Sequence, residues 1–350
     1  MAITAIVLLA VIAVAVVIAL RARRTAAPSP RVIAEKAAPP AAGLAAGDPR
    51  RIGPYRLLGR LGGGGMGQVY LGRSPGGRVV AVKVVRPDLA GDPDFRRRFA
   101  TEITAARRVG GFHTAQVVDA DPEGDPPWLA TAYIPGPSLY EAVRDHGPLS
   151  PASVAALGAG LAEGLSAVHA CQIVHRDLKP GNVILAADGP RVIDFGIARA
   201  LDATSHTRTS TVLGTAAYMS PEQVTGHQVG PASDVFSLGC VLGYAATGRS
   251  PFGDGPAHAV THRIVYEDPD LSGAPESLAG LVGACLAKDP AARPGLDRVL
   301  AACAAWSSPT DSGHTAREWP PEALTDVITL RSTRVLAPDE GDGVGRTAPE

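Results

Sequence analysis

Three stretches of this chain carry groups suited to phosphate. The first is Gly62-Gly63-Gly64-Gly65-Met66-Gly67, a G-x-G-x-x-G spacing with Val69 close behind. Glycines let backbone N–H groups approach an anion closely. Alone, the run also suits a hairpin turn or a dinucleotide site. A dinucleotide unit requires a helix after the glycines, and here the β-like segment QVYLGRS follows. Strand, glycine loop, strand is the better reading, with N–H groups laid over phosphates. The second stretch is Val80-Ala81-Val82-Lys83 on the next strand. A lone strand lysine is usually solvated, but one set among valines reads as a cation aimed at phosphates. It needs a carboxylate to hold it. Glu102, nineteen residues on in FRRRFATEITAARRV, is the candidate; an exposed helical glutamate is the plainer alternative.

The third stretch is His175-Arg176-Asp177-Leu178-Lys179-Pro180-Gly181-Asn182, with Asp194-Phe195-Gly196 beginning twelve residues beyond Asn182. Each piece alone fits a turn. Together, in this order and between apolar strands, they are not a coincidence. With these motifs the sequence resembles the eukaryotic-like Ser/Thr protein kinases of bacteria over residues 55 to about 304.

The resemblance implies roles residue by residue. The ATP lid would be Leu61, Gly62, Gly63, Gly64, Gly65, Met66, Gly67 and Gln68. Lys83 would bind the α- and β-phosphates and pair with Glu102. Asp177 would take or orient the proton of the acceptor hydroxyl, with Lys179 steadying the γ-phosphate. Asn182 and Asp194 would hold Mg2+. Val69 and Ala81 would sandwich adenine, although core packing describes them equally well. Ala132-Tyr133-Ile134 would be the hinge, with Thr131 as a small gatekeeper. Lys179, two after the catalytic Asp, implies Ser/Thr rather than Tyr specificity. Ser220-Pro221-Glu222 stands where the family has A-P-E. Arg293 would be the buried partner of Glu222, and Asp234 would anchor the catalytic loop. Arg176 before the catalytic Asp marks kinases switched by loop phosphorylation, and Thr207 and Thr209 have the spacing of autophosphorylation sites, a first step that a transient homodimer would serve.

These groups need two kinds of scaffold. Short β-like segments, YRLLGRLG, QVYLGRS and RVVAVKVV, are parted by turn signals such as Ser74-Pro75-Gly76-Gly77. Later, Ser150-Pro151 reads as an N-cap with proline at the first helical position. Val154, Leu157, Leu161, Leu165 and Val168 then fall on one helical face. Leu278, Leu281, Val282, Cys285 and Leu286 repeat the habit. The expected fold is α+β and two-lobed: a small antiparallel β-rich lobe, then a large helical one.

Composition excludes other classes. Thirty-three basic and 34 acidic residues leave a net charge of -1, no footprint for nucleic acid. Hydrophobic residues at 45% and charged ones at 19% exclude wholesale disorder. Cys171, Cys240, Cys285 and Cys303 form no C-x-x-C pair, so reduced, mostly buried thiols are expected.

Residues 1–20 are apolar apart from Thr4, and Arg21, Arg23 and Arg24 follow. A cleaved signal peptide has its basic region first; this order predicts a retained single transmembrane helix with everything after it cytoplasmic. Residues 21–54 are expected to be a linker, 55–304 the kinase domain and 305–350 a disordered tail. The predicted function is a membrane-anchored kinase moving the γ-phosphate of Mg-ATP to Ser/Thr of protein substrates. The alternative, a pseudokinase scaffold, would be favoured by loss of Lys83, Asp177 or Asp194, and all three are present.

Overall fold

A period-two burial pattern builds the first lobe. The structure, a computed structural model, describes residues 42–195, 216–305 and 319–336. Strands β1 (Arg51–Ile52), β2 (Tyr55–Gly63), β3 (Gly67–Arg73) and β4 (Val79–Val85) come first. Helices α1 (Pro87–Ala90) and α2 (Pro93–Ala106) follow, then β5 (Val117–Asp121) and β6 (Trp128–Ala132). The strands form one antiparallel sheet in the order β1-β2-β3-β4-β6-β5. In β4, Val80, Val82 and Val84 are buried, and Ala81 and Lys83 point the other way.

The Asp92 side chain caps α2, accepting from the N–H groups of Asp94 and Phe95, and Pro93 opens the helix. Phe95, Phe99, Ile103 and Ala106 form its buried stripe. The first three pack with Met66, Val85 and Leu129. The glycine loop and α2 therefore share one apolar cluster.

The second lobe is helical. It begins with α3 (Leu139–His146) and α4 (Pro151–Ala170), followed by the hairpin β7 (Val183–Ala186) and β8 (Gly189–Val192). Then come α5 (Pro221–Val224), α6 (Pro231–Thr247), α7 (Ala257–Tyr266), α8 (Glu276–Cys285), α9 (Leu296–Ala305) and α10 (Glu322–Leu336). Ser150 caps α4 through the Ser153 N–H. Val154, Leu157, Leu161, Leu165 and Val168 are all buried, each contributing about 1.5–3 kcal/mol. Helix α4 meets α9 closely at Gly158, where a Cβ would lie 2.7 Å from Cys303 Sγ. Among the described residues α4 alone is long and apolar enough to cross a membrane, and most of it is buried in this core. Cys240, Cys285 and Cys303 are buried and Cys171 half-buried, all four as free thiols. Burial pushes the Cys285 thiol up to about 12, which disfavours its thiolate.

Two expectations about the flanks need correction. The expected linker over 21–54 is part of the sheet from Ala42 onward. Ala42 bridges Arg60, β1 pairs with β2, and Ile52 is buried. Asp48 ties this strap down, accepting from Arg60 Nε at 2.6 Å and Tyr70 OH at 2.8 Å. The expected disordered tail over 305–350 contains α10. Leu324, Val327 and Ile328 are buried at 1%, 5% and 1% exposure, a helical stripe of which Leu324 and Ile328 join the second-lobe core. The apolar segment 1–20, with Thr207 and Thr209, lies outside the described residues.

Candidate active site

The glycine run closes the β2–β3 hairpin. Gly64 N–H donates to Gly67 O at 2.9 Å, and Gly67 N–H returns to Gly64 O at 3.3 Å. Gly67 has no room for a side chain, because a Cβ would sit 1.9 Å from the Val84 carbonyl oxygen. The Gln68 side-chain amide donates back to the Gly62 carbonyl and pins the loop. A strand follows the loop, as the phosphate-cradle reading requires.

Lys83 sits opposite Val69 on β3 and Leu129 on β6. Its Nζ lies 3.2 Å from Asp194 Oδ2. This corrects the expected Lys83–Glu102 pairing. Glu102 is half-buried on α2, one position from the Ile103 stripe residue. Asp194 instead follows β8 with φ of 59°, and that turn delivers its carboxylate to the β4 lysine. A non-glycine residue in this left-handed region is uncommon and is held by its surroundings.

The catalytic-loop candidates hang from one carboxylate. Asp234, fully buried near the start of α6, accepts from the His175 N–H and the Arg176 N–H, both at 2.8 Å. His169 Nε2 lies 2.7 Å from the same group. Arg176 has φ of 66°, so the loop makes a sharp turn just before Asp177. His175, itself fully buried, bridges onward from Nε2 to the Ile193 carbonyl at 3.2 Å. Ile193 N–H in turn donates to Asn182 O at 3.0 Å. The loop and the strand leading to Asp194 are thus one hydrogen-bonded unit.

Around Asp177, Lys179 Nζ donates at 3.0 and 2.7 Å to the two carboxylate oxygens. Asn182 Nδ2 donates to the Asp177 carbonyl at 2.7 Å and to Oδ2 at 3.1 Å. Lower in the same lobe, Arg293 grips Glu222 with two hydrogen bonds of 2.7 and 2.8 Å. Burial pushes the Glu222 carboxyl up, but Arg293 and Ser233 outweigh it and hold the group down at about 2. Gln223, the next residue, donates to the Arg176 carbonyl at 2.8 Å and ties α5 to the loop.

A cavity of about 540 Å³ lies between the lobes. The structure brings Leu61, Gly62, Gly63, Gly64, Gly65, Met66, Gly67, Val69, Ala81 and Lys83 to its upper wall. Ala132 and Ile134 line it at the back, and Asp177, Lys179, Asn182 and Asp194 line its floor. Gln68 and Glu102 are not among its lining residues. Thr131 and Tyr133 are, and burial pushes the Tyr133 hydroxyl up to about 12. Sequence reasoning missed Gly136, Ser138, Glu141 and Arg331, which also line the cavity. The S-x-x-E spacing of Ser138 and Glu141 is a capping-box signal and was legible. Arg331 carried no local signal.

The arrangement combines two lysine cations, the oxygen-bearing side chains of Asp177, Asn182 and Asp194, and a glycine cradle around one cleft. The family model for the protein kinase domain matches residues 55–303. The chain belongs to the protein kinase domain family. Its relatives place this kinase domain in the bacterial serine/threonine branch. It is 59% identical over 285 residues to the probable serine/threonine-protein kinase PkwA of Thermomonospora curvata, covering 81% of this chain and 38% of that protein. It is 51% identical over 289 residues to the serine/threonine-protein kinase AfsK of Streptomyces griseus, covering 81% and 36%. The chain therefore spans less than two-fifths of the length of these relatives. Among solved structures, the PknI kinase domain of Mycobacterium tuberculosis is similar with a TM-score of 0.58 at 28% identity, covering 75% of this chain and 99% of that one. The serine/threonine kinase domain thus has the two lobes and the intervening cleft that its motifs imply, and the family uses ATP and Mg2+ in general.

Proposed function

We propose that this protein binds Mg-ATP in the interlobe cleft and transfers the γ-phosphate to Ser or Thr of protein substrates. One observation carries the reading: Lys83, Asp177, Lys179, Asn182 and Asp194, dispersed along the sequence, line a single cavity under the glycine loop. Phosphoryl transfer needs positioning and charge cancellation more than covalent help. The glycine N–H groups and Lys83 would hold the nucleotide's phosphates. The Asp194 carboxylate and the Asn182 side-chain oxygen are hard donors, which suit Mg2+ held by few protein ligands and completed by phosphate oxygens and water. The ion would supply neutralisation of charge on the transferring group. Asp177 would orient the acceptor hydroxyl and take its proton as the oxygen attacks phosphorus. Lys179, already on Asp177, would add positive charge beside the transferring group.

Two finer elements belong to the same proposal. Residues 1–20 would anchor the chain with the kinase domain on the cytoplasmic side, in signal transduction. Thr207 and Thr209 would be autophosphorylated between two molecules, the phosphates pairing with Arg176.

The test is transfer of radiolabelled phosphate from ATP, with and without Mg2+, followed by phosphopeptide mapping. Label on Ser/Thr that needs Mg2+ is expected, with Thr207 and Thr209 prominent. Undiminished label in a Lys83→Met, Asp177→Asn double variant would overturn the reading. Digestion of the kinase domain by protease added outside intact cells would overturn the topology.

A further inference from the structure

The nucleotide cleft has a wall that lies outside the family's matched span. The family model ends at residue 303, yet Arg331 lines the cavity together with the glycine loop and Asp194. It arrives on α10. Leu324, Val327 and Ile328 bury one face of that helix, and Arg331, seven residues after Leu324, continues the same stripe. A second attachment stands at the helix's entrance, where Trp319 Nε1 donates to the Ala186 carbonyl at 2.9 Å. The buried face fixes the helix, and its register aims a guanidinium at the cleft.

What Arg331 touches there is specific. Its Nη1 donates to the Gly136 carbonyl at 3.0 Å and to Glu141 Oε2 at 3.2 Å, and its Nη2 reaches Glu141 Oε1 at 3.4 Å. The guanidinium is mostly buried, with 12% exposure, and its Nε has no hydrogen-bond partner among the described residues. Glu141 also accepts from the Ser138 N–H at 2.8 Å and the Ser138 hydroxyl at 3.1 Å. Gly136, Ser138 and Glu141 all line the cavity. They follow the hinge Ala132-Tyr133-Ile134 within seven residues and line the same cavity, so a nucleotide with its adenine at that hinge would lay its sugar beside them. Burial pushes the Glu141 carboxyl up, and Arg331 and Ser138 pull it further down. It is therefore an anion facing a site for a polyanion, and Arg331 is the cation that cancels it.

We infer that Arg331 is a positioning residue for the nucleotide. It neutralises Glu141, holds the Gly136–Glu141 segment in place beside the sugar, and makes α10 an integral wall of the cleft. Its loss exposes ATP to an uncompensated carboxylate and frees the sugar-side wall. The catalytic loop hangs from Asp234 instead, through the His175 and Arg176 N–H groups. Nucleotide affinity should fall while the rate at saturation stays.

The inference rests on the Mg-ATP reading of the cleft, and full-length protein tests both. KM for ATP and kcat are measured for the parent, Arg331→Ala, Arg331→Lys and the Arg331→Ala, Glu141→Gln double variant. Arg331→Ala should raise KM roughly tenfold, with kcat within about twofold. Arg331→Lys, which keeps the charge without the planar fork, should fall between. The double variant should recover much of the loss, a rescue that a purely structural role for α10 would not give. If Arg331→Ala lacks a cooperative melt, the Arg331→Lys shift decides. A parent that saturates with ATP and an Arg331→Ala or Arg331→Lys variant with the parent's KM would overturn the inference alone. A parent with no saturable dependence on ATP would overturn the function it rests on, and the inference with it.

Discussion

The two sides of the cleft are held by different physics. On the catalytic-loop side, a buried carboxylate, Asp234, organises His169, His175 and Arg176, and the buried Glu222–Arg293 pair braces the lobe below. On the sheet side, Lys83 meets Asp194 in a pair whose side chains are 16% and 33% exposed. Buried charges hold position only when every lone pair is satisfied, and they are costly to disturb. A partly exposed pair is cheap to break and remake. The acceptor side is built to stay, and the phosphate side is built to exchange partners.

The largest expected effect tests the fixed side directly. Asp177→Asn should lower kcat by about 10²–10⁴-fold, the range for losing a positioned general base. Steady-state kinetics with melting as a control reads it, and a drop in melting temperature that accounts for the lost activity would remove the catalytic reading. Next, Glu222→Ala should destabilise the fold by about 3–5 kcal/mol, because Arg293 is left charged and buried. Denaturant unfolding measures this, and a cost under about 1 kcal/mol would erase the contrast between the two sides.

The same pair predicts a pH dependence. The Glu222 carboxyl is held at about 2, below its ordinary 4.5. A depressed folded value gives stability that is fully present above the unfolded value and fades as pH falls toward 2. Stability measured from pH 6 downward should therefore decline through that window, and Glu222→Gln should flatten the decline. The smallest expected effect on stability is on the exchanging side. Lys83→Met should change unfolding free energy by less than about 1 kcal/mol while abolishing phosphate transfer. A large stability loss there would show that the Lys83–Asp194 pair is a structural brace.

Much of this site was legible because its parts are local motifs. The glycine run, the strand lysine and the loop from His175 to Asn182 each announce themselves within a few residues. The strands and α4 were legible from periodicity, since Leu157, Leu161 and Leu165 recur at helical spacing. What escaped depends on distant partners. Arg331 meets Glu141 across 190 positions, and the stripe beneath it is only Leu324, Val327 and Ile328 among threonines and an acid. A short stripe in polar company resembles a solvated segment until a core exists to receive it. Lys83 likewise chose Asp194, 111 positions away, over the nearer Glu102. Sequence distance said nothing of which carboxylate the turn at Asp194 would deliver.

The close seat of α9 against Gly158 has a consequence for synthesis. Helix α4 is as apolar as a membrane span, and α9, which meets it, begins about 125 residues after α4 ends. At roughly 5–20 residues per second, the ribosome exposes that surface for about 6–25 s before its cover emerges. The interval invites capture by chaperones or targeting factors that read apolar helices. The glycine that lets the finished helices touch also leaves α4 less sticky while it waits, because a smaller side chain at the contact exposes less apolar area.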